Sequence, residues 1–335
     1  VSPQEPEQLG EIHQSLRECP EDTCGSNSPK IETQGFHELS LKGASNPQGM
    51  KLMGATLNSA PVTVSVENAR LVARSMRGRL LTGTQLIGLE LFLEANIKDV
   101  VSTFELEVME VRGLPYPVPV GSNDFSGAYV VEYTDRDGGR RNLCTDTSSG
   151  GPDLPWDEAF GQRPNEAVFF EGDRIDTTTM TIDPIVDKSW FNIGCAGHTL
   201  AKLHHTRNTT ASGAAAYGHQ HDDRQATLKM FVADYCGNGK PFTVAGQRLA
   251  WRDLQGVMNF YSPPFSLEAR WTSNGASCIL APRMLYPSTI EGAERFPDIW
   301  QAIADECPAL LQKTCIDPDP YSFDGKPRVT GNRSP

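Results

Sequence analysis

The sequence predicts an α+β, β-rich chain, with an N-terminal antiparallel β-domain followed by a mixed, disulfide-braced region containing a few short helices. Three observations carry that expectation. Apolar and polar residues alternate at period two through much of the first half. Helical stripes are confined to short segments of the second half. Eight cysteines are spread along the 335 residues.

Residues 1–46, rich in Pro, Glu, Gln and Ser, read as an extended strap tied down by Cys19 and Cys24. Residues 47–145 read as the β-rich domain. Val62, Val64 and Val66 alternate with Thr63, Ser65 and Glu67; Leu89, Leu91 and Leu93 follow; Phe104, Leu106 and Val108 alternate with Glu105 and Glu107. Asp137-Gly138-Gly139 between Tyr129-Val130-Val131 and Leu143-Cys144 is a hairpin signal. A Ser/Gly/Pro-rich loop from Thr145 to Pro155 is the place for a hinge.

Residues 146–335 form the mixed region with a C-terminal helix and a Pro-rich tail. Val168-Phe169-Phe170 and Thr179-Met180-Thr181-Ile182 read as strands, and Phe191 to Cys195 as the approach to a short helix through His198-Leu203. Leu228, Phe231, Val232 and Tyr235 fall at i, i+3, i+4 and i+7, a helical stripe with Asp222 and Asp223 as N-cap candidates and Gly237 as C-cap. Leu267, Ala269 and Trp271 alternate with Glu268 and Arg270 before an Asn274-Gly275 turn leading to Cys278. A last helix runs from about Pro297 to Glu306.

The composition excludes some classes. A formal net charge of -12 argues against nucleic acid, whose binding draws on clustered Lys and Arg. No stretch reaches the roughly 18 apolar residues of a transmembrane helix. The cysteines Cys19, Cys24, Cys144, Cys195, Cys236, Cys278, Cys307 and Cys315 lack the Cys-x2-Cys pairs of a zinc ribbon, so they read as disulfides in an oxidising compartment. Cys19 with Cys24, and Cys307 with Cys315, are the two local loops suggested by spacing. The remaining connectivity is open. Val1 in place of an initiating Met fits a chain freed of a signal peptide, and equally a trimmed one.

The most specific segment is Ala233-Asp234-Tyr235-Cys236-Gly237, which sets a carboxylate, a phenol and a sulfur side by side at the end of an apolar helix. Asp234 falls where the helix dipole disfavours negative charge, so a cation or several hydrogen-bond donors should hold it. With Gly194-Cys195-Ala196-Gly197-His198-Thr199-Leu200-Ala201-Lys202 before it, the segment resembles the ADYC-domain family of exported bacterial proteins. The likeness extends to Cys24-Gly25-Ser26-Asn27-Ser28-Pro29, to Phe36-His37-Glu38-Leu39 and to Trp271 through Cys278. It implies an extracytoplasmic, cysteine-bearing domain with no established activity to carry over. Similar proteins often have further cysteines where this chain has Leu203 and Thr227 or Leu228, so the resemblance implies that apolar packing here replaces a bridge.

Two functional expectations remain. The first is an exported, disulfide-stabilised binding or structural module, secreted, periplasmic or at the outer surface, without a cofactor and with a protein or glycan partner at the cell surface; homo-oligomerisation is left open. The alternative is an extracytoplasmic metal-dependent enzyme in which His204, His205, His219 and His221 ligate one divalent ion near the Asp234 helix. Cys195 with His198, or Cys236 with a nearby His, would make a nucleophile and base only as free thiols. Gly-x-Ser-x-Gly and phosphate-loop signatures are absent. Asn208-Thr209-Thr210 fits a glycosylation sequon.

Overall fold

A computed structural model describes residues 29–32, 34–97, 100–116, 124–144, 161–243, 250–252, 266–283, 298–315 and 329–333. Its strands are β1 (Lys30–Ile31), β2 (Gln34–Gly35), β3 (Glu38–Ser40), β4 (Met50–Leu57), β5 (Ala60–Val66), β6 (Leu71–Ser75), β7 (Leu80–Thr82), β8 (Leu89–Ile97), β9 (Val100–Pro115), β10 (Phe125–Thr134), β11 (Arg140–Asn142), β12 (Glu166–Gly172), β13 (Ile175–Asp176), β14 (Thr181–Ile182), β15 (Asp187–Cys195), β16 (Ala250–Arg252), β17 (Ser266–Thr272), β18 (Gly275–Ile279) and β19 (Val329–Arg333). The helices are α1 (Thr199–His205), α2 (His221–Val232) and α3 (Ile299–Glu306).

One antiparallel sheet of eleven strands dominates, in the order β3-β15-β12-β10-β9-β8-β4-β5-β6-β7 with β11 beside β10. Period-two patterning builds it as expected. Leu89, Leu91 and Leu93 of β8 are fully buried. They lie opposite Leu57, Ala55 and Leu52 of β4, and Leu91 and Leu93 lie opposite Leu106 and Phe104 of β9. This apolar ladder forms one face of the first core. The sheet then rolls around that core. The Asn68-Ala69 turn between β5 and β6 donates its two amides to the Glu171 carboxylate at 3.0 and 3.2 Å, and Leu71 N donates to the Tyr129 hydroxyl at 2.8 Å. The strands come from all three sequence segments, β3 from before residue 46 and β12 and β15 from beyond residue 146. The hinge expected between 145 and 155 lies outside the described residues.

Every residue of β12 is buried, which neither face of a half-exposed strand would allow. Ala167 and Phe169 enter the first core, whereas Val168 and Phe170 face a second core that receives α1, α2, α3 and the β17–β18 hairpin. The segment from Phe191 to Cys195 is the end of β15, and the chain turns at Gly197 before entering the expected short helix as α1. Gly194 permits this arrangement, because a Cβ there would stand 2.8 Å from the Ala201 amide of α1.

The disulfides among the described residues are Cys144–Cys195, Cys236–Cys307 and Cys278–Cys315. The local pairing of Cys307 with Cys315 is therefore corrected. The 3-10 turn Pro308–Gln312 lies between them and delivers one sulfur to the Asp-Tyr-Cys segment and the other to β18. Cys19 and Cys24 lie outside the described residues.

Candidate functional site

The N-cap of α2 is Gln220, whose amide donates to the Asp223 carboxylate at 2.9 Å, so Asp223 caps from inside the first turn rather than as the N-cap residue. At its other end the C-cap is Ala233, not Gly237, in the left-handed conformation at φ 54°. Ala233 N donates to Met230 O at 3.0 Å and Asp234 N to Lys229 O at 2.9 Å, the two bonds of a Schellman ending. Such endings usually close with an apolar contact between the residues here occupied by Asp234 and Lys229. This chain closes with charge instead.

Asp234 is fully buried and Lys229 is 1% exposed. The Lys229 ammonium donates to Asp234 Oδ2 at 2.6 Å, to Thr179 O at 2.7 Å and to Gly237 O at 3.2 Å. Asp234 also accepts from Asn238 N at 3.1 Å and Gly239 N at 2.8 Å. The cation and the several donors expected around Asp234 are thus both present. The pair binds the loop after α2 to the β13–β14 turn at Thr179. Gly237 and Gly239 make the approach feasible: a Cβ on either would stand 2.1 Å from a backbone oxygen, that of Asn274 or of Thr178.

Tyr235 points the other way. Its ring stacks on Trp271 at 5.1 Å, and its hydroxyl donates to Glu268 Oε1 while accepting from Arg283 N at 3.0 Å. Arg283 bonds Glu268 through Nε at 2.8 Å and reaches the last carbonyls of α2, Met230 at 2.7 Å and Phe231 at 3.3 Å. Burial, and then the charge of Glu268, push the Tyr235 phenol well above its ordinary range, so it remains a donor. Cys236 completes the motif by bridging to Cys307 at the end of α3.

Glu268 was expected to face outward by alternation with Leu267, Ala269 and Trp271. It is fully buried, because register shifts on either side of it, at Leu267/Ala269 and Arg270/Trp271, break the strict period two of β17. Lys229 and Arg283 were not singled out from sequence either. For Lys229 a signal existed: it is the cation in the last turn of α2, the place where a partner for Asp234 was sought. Arg283 lies far along the chain with no local pattern to mark it.

The histidines bond separate partners. His204 contacts the Tyr116 hydroxyl through Nε2 at 2.8 Å and Thr209 Oγ1 through Nδ1 at 2.9 Å, with its ring stacked on Phe170. His205 Nε2 meets Gln162 Oε1 at 2.8 Å, His219 Nδ1 meets Arg207 O at 2.8 Å, and His221 Nε2 meets Ile182 O at 2.9 Å. Burial, with Arg112 nearby, pulls His205 down to about 3. Burial, with His205 and Arg207 nearby, holds His204 well below its ordinary value. His198, half-buried at the N-cap of α1, is lowered by burial and by the charges of Lys202 and Lys30. Among the described residues no three His, Cys, Asp or Glu side chains converge as a metal site would require. Cys195 and Cys236, considered as nucleophiles, are both bridged. Asn208 is 2% exposed and donates to Thr206 O at 2.7 Å, which removes it as a glycan acceptor in the folded chain.

A family model described as the ADYC domain matches residues 83–285, more than half of the chain. The chain belongs to the ADYC-domain family. Comparison with curated proteins and with solved structures gave no match. The ADYC match contains both ends of Cys144–Cys195, but Cys236 and Cys278 bridge to Cys307 and Cys315 beyond it. The family's named cysteine therefore anchors, in this chain, a helix outside the matched segment. Of the positions where the resemblance sets cysteines in similar proteins, Leu203 is fully buried in the second core, and of the two candidates for the other, Leu228 is fully buried there and Thr227 is 3% exposed.

Proposed function

We propose that this ADYC-domain chain is an exported, disulfide-braced module that binds or scaffolds outside the cytoplasm, rather than an enzyme. One observation carries the reading. Each polar group of Asp234-Tyr235-Cys236 is engaged in joining one element to another: the carboxylate to Lys229 and the following loop, the phenol to Glu268 and Arg283, the sulfur to Cys307. A reacting group needs access and an unfilled bonding direction. Asp234 and Tyr235 are buried and Cys236 is half-buried, and all three are engaged by their neighbours, as a clasp requires. The bridges suit an oxidising compartment, and no described helix is long and apolar enough to cross a membrane.

The test is to block thiols in untagged, exported protein before reduction, identify the blocked cysteines by mass spectrometry, and measure metal content on the same sample. The module reading expects Cys144, Cys195, Cys236, Cys278, Cys307 and Cys315 to be unblocked and metal to be substoichiometric. Stoichiometric zinc, copper or iron that disappears in His219→Ala/His221→Ala would overturn it in favour of a metalloenzyme.

A further inference from the structure

The chain carries an acid excess of -12, yet from Asn68 to Leu89 it has four arginines, Arg70, Arg74, Arg77 and Arg79, and no Asp or Glu. This segment contains the β6–β7 hairpin, and β7 ends the strand order of the large sheet. The hairpin turn is well formed. Ser75 N donates to Arg79 O at 3.0 Å, Gly78 N donates to Ser75 O at 2.8 Å, and Arg79 N donates to Ser75 Oγ at 3.1 Å.

What this turn presents is unusual for an acidic protein. Met76 is 77% exposed and Leu80 45%, and Arg77, Gly78 and Arg79 between them are all exposed. Arg74 lies directly opposite Leu80 across the hairpin and shares Glu67 at 3.3 Å, with both side chains open to solvent. Among the described residues, Arg77 and Arg79 have no acidic partner. Leu81, pointing to the other face, packs on the first core and holds the hairpin in place. The crown is thus an exposed turn, held in place through Leu81, that offers two apolar side chains and an arginine on each side of Gly78. Exposed apolar side chains interleaved with unneutralised arginines match the chemistry of an anionic lipid surface, into which Met76 and Leu80 sink while the arginines meet phosphates.

We infer that the β6–β7 hairpin docks this chain on an anionic lipid surface through Met76, Leu80, Arg77 and Arg79. The overall negative charge does not prevent this, because at physiological ionic strength charges more than about 8 Å apart are largely screened and the tip acts locally. The inference rests on the extracytoplasmic binding-module reading and supplies its partner.

The experiment pellets the full-length oxidised protein with vesicles of phosphatidylcholine alone or mixed with phosphatidylglycerol. Retention is expected on the mixed vesicles and not on the neutral ones. At roughly fivefold per arginine, Arg77→Ala/Arg79→Ala should weaken binding about 25-fold. Met76→Ser should weaken it as well, and neither variant should change the melting temperature, since these side chains are exposed. Equal retention on both vesicle types, no retention on either, or undiminished binding by Arg77→Ala/Arg79→Ala would overturn the inference. So would full displacement by polyglutamate together with an unaffected Met76→Ser, which would assign the tip to an acidic polypeptide. Failure on vesicles by a chain with intact bridges and no metal would remove the lipid surface and leave the module reading standing.

Discussion

Replacing Asp234 by Asn tests the clasp at its most demanding point. Asn is nearly isosteric and keeps one oxygen to accept from Asn238 N, but its amide group now stands where Oδ2 accepts from Lys229 Nζ at 2.6 Å and Gly239 N at 2.8 Å. Two donors then face a third, and a buried ammonium loses its counter-charge. Removing one member of a buried ion pair costs about 3 to 5 kcal/mol, more than the 1 to 3 kcal/mol of a lost charged hydrogen bond alone. At roughly 2 °C per kcal/mol for a chain of this size, the melting temperature should fall by about 6 to 10 °C. Calorimetry of the oxidised protein reads this directly. The second arm is Lys229→Met in the same background: with the orphaned ammonium gone, the double variant should recover at least about 1 kcal/mol relative to additive single effects. An unchanged melting temperature for Asp234→Asn, or strict additivity in the cycle, would refute the clasp as the source of stability.

Other expectations follow from the same geometry. His205, about 3 in the folded chain against an ordinary 6.5, is protonated in the unfolded chain first; its contribution is complete above pH 6.5 and is lost as pH falls towards 3. Unfolding free energies from urea titrations should therefore drop by about 2 kcal/mol per such histidine between pH 6.5 and 5, and His205→Gln should flatten the slope. Gly237→Ala meets Asn274 O at 2.1 Å with φ +73° and should cost about 2 to 4 kcal/mol, whereas Gly54→Ala, with open space around it, should stay within about 0.5 kcal/mol. Cys236→Ala/Cys307→Ala opens a separation of 71 residues. A loop of that length corresponds to about 4 kcal/mol of denatured-state entropy, visible as a lower urea midpoint than that of the intact protein.

Strands were legible because period two survives in sequence wherever one face is buried and the other is not. Leu89, Leu91 and Leu93 announce β8 without help, and the Asn274-Gly275 turn announces its hairpin. The same rule misread β17: with Leu267, Glu268 and Ala269 all buried there, alternation no longer reports direction, and a central carboxylate passed for a solvated one. The ending of α2 was also misplaced, since glycine is the usual left-handed residue and this chain uses Ala233. The spacing of Cys307 and Cys315 misled for a related reason. Proximity along the chain says little about sulfurs separated by a turn that sends them to different elements.

From residue types and their periods alone came the β-rich class, the sulfur bracing, the family resemblance and the demand that Asp234 be neutralised. Each is a local or compositional property, set by neighbours a few positions away. Which cation answers that demand, which sulfurs meet, and that Tyr235 shares Glu268 with Arg283 were decided only when distant segments came together around two cores. Such contacts form across dozens of residues, and their free energy depends on burial and bond geometry that no short stretch of chain contains.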